Sequence, residues 1–240
     1  MNDRVALITG AGRGIGRAAA VALAGAKYRL ALMSRTEGDL QKTAQLAQVA
    51  IEGTVILPLD VSDPDDARRA VEQTAARFGR LDAVVNVAGA APVRRVEEMT
   101  VDEWRSVIDT NLSAVFYLSK FAWPHLRRSA TPDRPAAIVN ISSLASRDPF
   151  AGFAAYGAAK AGVNLFGLAA AREGQADHIL VHTIAPGAVE TEMFRQLLTP
   201  EQYPPERCLS PADVADVIVQ CVTGRLWHTC GEVIYLHKTP

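Results

Sequence analysis

The chain has 240 residues, 49% of them hydrophobic and 21% charged, with a formal net charge of −1. That composition fits one globular α/β domain over 1–240 with a sizeable core, and so small a charge gives neither a basic field for nucleic acid nor attraction to a membrane surface. Cys208, Cys221 and Cys230 have no C-x-x-C spacing and no paired histidine motif, which argues against a metal site and against a disulfide framework.

Short β-branched runs alternate with alanine-rich helical stretches. Val5–Thr9, Tyr28–Met33, Thr54–Leu59, Ala83–Asn86, Ala137–Ile141, Ile179–Ile184 and Glu232–Leu236 read as strands. Helices are predicted at Gly14–Ala24, Asp39–Ala50, Pro64–Phe78, Val101–Arg128, Phe153–Gly167 and Pro211–Val222. Near-continuous apolar strands belong to a parallel sheet buried on both faces. Their alternation with helices implies right-handed crossovers and a doubly wound, seven-stranded α/β sheet with helices on both faces. Helix punctuation follows the same phasing. Gly25 is expected to cap the C-terminus of the first helix, and Ser62-Asp63-Pro64 and Ser210-Pro211 open two later ones. Pro124 should bend or end the long fourth helix, and the polar stretch from Arg127 to Pro135 is the expected surface loop. No apolar run reaches membrane-spanning length, and Val5 begins a strand too early to leave room for a targeting segment, so a cytoplasmic protein is expected.

The first strand runs into Thr9-Gly10-Ala11-Gly12-Arg13-Gly14-Ile15-Gly16. Glycines let the backbone approach a ligand closely. The following helix presents free N–H groups and a positive dipole end to a pyrophosphate. A glycine turn between the first strand and the first helix is the dinucleotide-binding arrangement of a Rossmann fold; a tight turn without ligand is the bland alternative. The second strand ends at Ser34-Arg35. An acidic residue there suits NAD, whereas arginine receives the 2′-phosphate of NADP. Arg13 supplies a second cation, and guanidinium–phosphate contacts are strong and directional. NADP is therefore favoured over NAD, although Arg35 could also be a solvated strand end.

Tyr156 and Lys160 stand four apart in a helical stretch and so share one face. A free tyrosine has a pKa near ~10. A nearby cation lowers it, which would make the pair an acid/base tuned toward the working pH. In isolation the same spacing is an ordinary amphipathic surface. His178 and His182 flank a strand, where that spacing builds no helical metal pair, and a structural role is expected. Trp104, Trp123 and Trp227 are expected in the core or an interface.

Together these motifs resemble the short-chain dehydrogenase/reductase family from Val5 to about Thr191, with a weaker tail to Leu236. The family's T-G-x3-G-x-G turn stands as Thr9 to Gly16, its adenine-contacting D-V pair as Asp60-Val61, and its N-N-A-G motif, with one substitution, as Asn86-Val87-Ala88-Gly89. Its helical asparagine matches Asn111. Its serine, tyrosine and lysine match Ser143, Tyr156 and Lys160, with the usual thirteen-residue step from serine to tyrosine. Its P-G-x-V-x-T segment matches Pro186-Gly187-Ala188-Val189-Glu190-Thr191. The resemblance implies that Tyr156 exchanges a proton with the substrate oxygen and that Ser143 holds that oxygen. Lys160 would lower the tyrosine pKa and hold the nicotinamide ribose, and Asn111 would position a water leading to Lys160. It places cofactor contacts on Gly10, Arg13, Gly14, Ile15, Gly16, Ser34 and Arg35 at the adenosine end. Further contacts fall on Asp60, Val61, Asn86, Ala88 and Gly89, and then on Tyr156, Lys160, Pro186, Gly187, Val189 and Thr191.

Ser142 competes with Ser143, and only the spacing to Tyr156 selects the latter; Asn111 could instead fill a bend in its helix. The implied activity is NADPH-linked reduction of a ketone, or oxidation of a secondary alcohol, resembling 3-oxoacyl-(acyl-carrier-protein) reductases. An NAD-linked dehydrogenase of another alcohol, sugar or steroid-like substrate stays open, as does a dinucleotide sensor without turnover. An acidic acyl-carrier protein could dock on Arg127, Arg128 and Arg172, which could equally be scattered solvated arginines. The segment near 190–209, with Met193, Phe194 and Tyr203, reads as an apolar lid, and Phe150 and Phe153 as an apolar wall. The family usually assembles through its fourth and fifth helices, so a homotetramer or homodimer is expected; the alanine-rich Ala158–Ala171 face suits close helix packing. Tyr235-Leu236-His237-Lys238-Thr239-Pro240 departs from the family's usual ending.

Overall fold

Seven short apolar runs become parallel strands: β1 Val5–Thr9, β2 Arg29–Ser34, β3 Thr54–Pro58, β4 Ala83–Asn86, β5 Ala136–Ile141, β6 Ile179–Pro186 and β7 Val233–Leu236. A computed structural model describes residues 3–238, so Thr239 and Pro240 of the atypical ending lie outside the described residues. The strands form one sheet in the order β3-β2-β1-β4-β5-β6-β7. All neighbouring pairs are parallel. Every residue of β1, β4 and β5 is buried, which is why these runs are almost uniformly apolar rather than alternating.

Helices cover both faces. Ala67, Ala70 and Val71 of α3 (Pro64–Phe78), Leu118 and Ala122 of α5 (Ala114–Ser129) and Ala170 of α6 (Ala154–Gly174) share a core with Leu7, Val84 and Ile138. On the other face, α1 (Gly14–Gly25), α2 (Glu37–Ala47) and α8 (Pro211–Val222) bury Leu23, Leu40 and Ile218 against Ile8, Leu32 and Val85. Each buried Leu, Ile or Val among them contributes roughly 1.5–3 kcal/mol of burial. Chain direction reverses its progress across the sheet between β1 and β4. Segments leaving the carboxyl ends of β1, β4, β5 and β6 therefore converge on one edge, the ligand crevice of doubly wound sheets.

Three helices start as their sequences dictate. The Asp63 carboxylate accepts the Asp65 N–H ahead of Pro64 in α3, and Ser210 pairs with Asp213 in a capping box at α8. Thr100 and Glu103 do the same at α4 (Val101–Ile108).

Two expectations are corrected. The stretch predicted as one helix over Val101–Arg128 is broken at Asp109–Ser113, a wider π-type turn between α4 and α5, and not at Pro124, which lies inside α5. Pro124 and Lys120, the residue whose carbonyl loses its helical partner, are both exposed, so water replaces that bond. Gly25 does not cap α1. The left-handed residue is Lys27, with φ 69°, because Lys27 N–H bonds Ala24 O and Tyr28 N–H bonds Leu23 O. This Schellman closure buries Tyr28 beside Leu23.

Candidate active site

The end of β5, helix α6 and the turn before α5 bring Ser143, Tyr156, Lys160 and Asn111 to one place. Ser143 follows β5, and its hydroxyl accepts the Ala145 N–H at 3.1 Å, capping a short turn. Ser142, beside it, is buried, with its hydroxyl donating to Lys160 O at 3.1 Å. The two serines are thus separated by structure: Ser142 ties β5 to α6, and Ser143 faces Tyr156. Tyr156 and Lys160 lie in α6, with Lys160 Nζ 5.6 Å from the Tyr156 ring centroid. Phe150, Phe153 and Tyr156 stack in succession at 4.1 and 5.3 Å between centroids, forming an apolar wall beside the phenol.

Lys160 is only 3% exposed, and its ammonium donates to Ile141 O at 2.8 Å. Burial pushes its pKa down to about 8. Burial also raises the Tyr156 phenol above its ordinary value, and the Ser143 hydroxyl draws it partly back. Desolvation therefore dominates here, whereas the sequence spacing suggests a phenol lowered by the lysine. The ammonium is aimed at a backbone carbonyl instead of at the phenol oxygen.

Asn111 sits fully buried in the π-type turn. Its amide donates to Val107 O and Ala90 O, both at 2.9 Å, and accepts Ala90 N–H at 3.2 Å. The segment after β4 is thereby laced to the helix break. Gly89 passes through the gap, where a Cβ would lie 2.8 Å from Asn111 Oδ1 and 3.6 Å from Lys160 Nζ. Asn86 points elsewhere: its amide donates to Asn140 Oδ1 at 2.9 Å, cross-bracing β4 and β5. Val87 and Ala88 N–H both bond the Thr9 hydroxyl. Asp60 Oδ1 takes the Ser62 N–H and hydroxyl, and Val61 is buried in the core.

The glycine turn lies alongside. A Cβ on Gly16 would overlap the Gly10 carbonyl oxygen, so only glycine lets α1 start so close to β1. Ile15 lies between Gly14 and Gly16, partly exposed. The α1 N-terminus has no side-chain cap and no acidic residue in its first turn, unlike α3, α4 and α8. Its first N–H groups are open to an anion. Ser34 Oγ is buried without a hydrogen-bond partner and stands 3.0 Å from the Gly12 Cβ position. Arg35 is exposed. Uncapped N–H groups, an unpartnered hydroxyl and a nearby guanidinium fit the phosphates of a dinucleotide. After β6, Pro186 ends the strand and Gly187 N–H bonds Leu236 O at 2.8 Å. Val189 pairs with Leu209, closing the base of the 190–209 segment. Thr191 caps α7 (Glu192–Arg195) through the Phe194 N–H. No group of His, Cys, Asp and Glu that could hold a metal occurs among the described residues.

A sequence profile described as short chain dehydrogenase matches residues 4–202. The chain belongs to the short chain dehydrogenase family. As a short chain dehydrogenase it is an NAD(P)-dependent oxidoreductase. Acetoacetyl-CoA reductase of Shinella zoogloeoides is 36% identical to it over 242 residues, covering 97% of this chain and 96% of that one. The 3-oxoacyl-(acyl-carrier-protein) reductase FabG of Escherichia coli (strain K12) is 32% identical over 240 residues, covering 98% and 96%. The crystal structure of 3-ketoacyl-(acyl-carrier-protein) reductase from Brucella melitensis complexed with NADH superimposes with a TM-score of 0.89 at 24% identity, covering 97% and 96% of the two chains. At that identity the likeness establishes the fold.

One brace of this dehydrogenase escaped the sequence reading. Arg17, one turn into α1, bonds the Gly12 carbonyl and, at 3.1 Å, the Thr43 hydroxyl, and lies 3.6 Å from Asp39. Thr43 in turn donates to Ala11 O. Its signal is a buried threonine in a helix otherwise rich in polar surface. The arginines considered for a carrier are partly engaged: Arg127 pairs with Asp177 at 2.8 Å, and Arg128 donates to His125 Nδ1.

Proposed function

We propose that the chain reduces the ketone of a 3-oxoacyl thioester with NADPH, the new hydroxyl taking its proton from Tyr156. The observation that carries this reading is the convergence of Ser143, Tyr156 and buried Lys160 beside an uncapped glycine turn. A bound nicotinamide would supply the hydride. The Ser143 hydroxyl holds the substrate oxygen. A phenol kept above its ordinary value by burial stays protonated at neutral pH, the form a general acid needs. The Lys160 ammonium offsets the phenolate charge once the proton has left. Asn111 holds the loop after β4 beside Lys160 and, as the family resemblance implies, would position a water leading from Lys160 to solvent.

Arg35, next in sequence to the unpartnered Ser34 hydroxyl, and Arg13 on the glycine turn support NADP over NAD. Names of the 36% and 32% identical relatives support the thioester substrate. A carrier-protein form would dock on Arg128 and Arg172, since Arg127 is already paired. The same reading makes 1–240 one catalytic domain with 190–209 as its lid, working in the cytoplasm as a homodimer or homotetramer. Phe116 and Leu165, exposed on α5 and α6, support assembly. No helix among the described residues is long and apolar enough to cross a membrane.

Initial rates on acetoacetyl thioesters of coenzyme A and of acyl-carrier protein, each with NADPH and NADH, test the proposal. Turnover favouring NADPH is expected. Equal efficiency with both dinucleotides removes the NADP assignment, and no turnover of either thioester removes the substrate class.

A further inference from the structure

The glycine turn and the segment after β6 meet across the crevice. Arg13 and Glu192, 179 residues apart, form an ion pair at 2.7 Å. Their approach is built by the backbone on both sides. The Cβ position of Gly14 lies 3.3 Å from Thr191 Cγ2, and Thr191 caps the short helix that Glu192 begins. The segment carrying Glu192 is braced from within. Arg195 bonds the Glu190 carboxylate and the carbonyls of Leu198 and Tyr203, and the Val189–Leu209 bridge fixes its base. Glu192 thus reaches Arg13 from a braced position. Arg17 and Asp39 face each other at 3.6 Å by Gly12 and Ser34, where exposed Arg35 also lies.

We infer that Glu192 is a cofactor-specificity residue, holding Arg13 across the crevice in competition with the 2′-phosphate of NADP; this rests on the NADP reading above. Glu192 engages a single Arg13 nitrogen, so the guanidinium must either leave the carboxylate or carry it beside the 2′-phosphate as a repelling like charge. NAD carries no such phosphate and asks nothing of the pair. Glu192 therefore penalises NADP selectively and narrows the preference that Arg13 and Arg35 create. Both side chains are well exposed, 59% and 61%. The competition is accordingly modest, no more than about fivefold in affinity, and is screened by salt.

Direct binding decides the matter. NADPH and NADH are titrated, by their nicotinamide fluorescence, into wild type, Glu192→Gln, Arg13→Ala and the double variant, with circular dichroism as the check on folding. At low ionic strength Glu192→Gln is expected to tighten NADPH about two- to fivefold. NADH affinity should stay unchanged, the gain should shrink at high salt, and it should vanish in the Arg13→Ala background. If Arg13→Ala weakens NADPH but Glu192→Gln leaves it unchanged, the competition is refuted and the NADP reading stands. Equal tightening of both dinucleotides refutes it too, because the effect then does not involve the phosphate. Should Arg13→Ala weaken neither dinucleotide selectively, Arg13 is no phosphate ligand, and this inference falls along with Arg13's part in the NADP reading.

Discussion

Lys160 holds its ammonium in the interior with one protein acceptor, the Ile141 carbonyl, and burial brings its pKa down to about 8. In the unfolded chain the same group keeps its proton until about pH 10.4. Between those values the unfolded chain binds more protons, so stability should rise with pH through that window; below it the desolvation cost is fully present. Lys160→Met is therefore expected to stabilise the fold at pH 7 by up to roughly 3 kcal/mol in urea unfolding, with the gain fading by pH 10. The same substitution should abolish reduction. A variant no more stable than wild type at neutral pH would show that the lysine charge is compensated. The identity of this residue is legible in the Tyr156–Lys160 spacing, but its environment is not. Spacing places two groups on one face, whereas the direction of a pKa shift depends on desolvation by α6 and β5 together.

At the scale of elements, strands and N-terminal caps are legible because they are local. A buried apolar run, or Asp63 ahead of Pro64, carries its structure in a few adjacent residues. The break at Asp109–Ser113 is not local, since its cause is a tertiary demand: Asn111 must reach Ala90, 21 residues away. The Val101–Arg128 periodicity does not mark it; Asn111, a residue able to fill a helix bend, is the one sequence signal, and Pro124 draws attention to the wrong place. The break depends on the amide specifically, as donor to two carbonyls and acceptor from one N–H. Asn111→Asp removes both donors and sets a carboxylate against those carbonyls. It is expected to cost about 2–4 kcal/mol, more than Asn111→Ala, read as the shift in unfolding midpoint. An aspartate variant as stable as wild type would mean that the turn holds without these bonds.

Across the whole molecule, one sheet carries both the crevice and a buried histidine. His182 in β6 is fully buried, its Nε2 has no partner, and its pKa falls to about 4, chiefly by desolvation. Its proton is lost on folding, so stability is complete above about pH 6.5 and should drain as pH falls toward 4, by roughly 3 kcal/mol from this group. His182→Gln should flatten the acid limb of urea stability; an unchanged limb would place the acid sensitivity elsewhere. The parallel, doubly wound sheet follows from the βα alternation, and a dinucleotide-binding turn from the glycines after β1; the strand order does not. The Arg13–Glu192 contact does not, because it joins segments 179 residues apart. The whole arrangement stands or falls on proton delivery by Tyr156. Single-turnover reduction of an acetoacetyl thioester by NADPH, followed by loss of nicotinamide absorbance in wild type and in Tyr156→Phe, tests it most directly. The phenylalanine variant should transfer about 10²- to 10⁴-fold more slowly while still binding NADPH. A rate within about twofold of wild type would contradict the assignment.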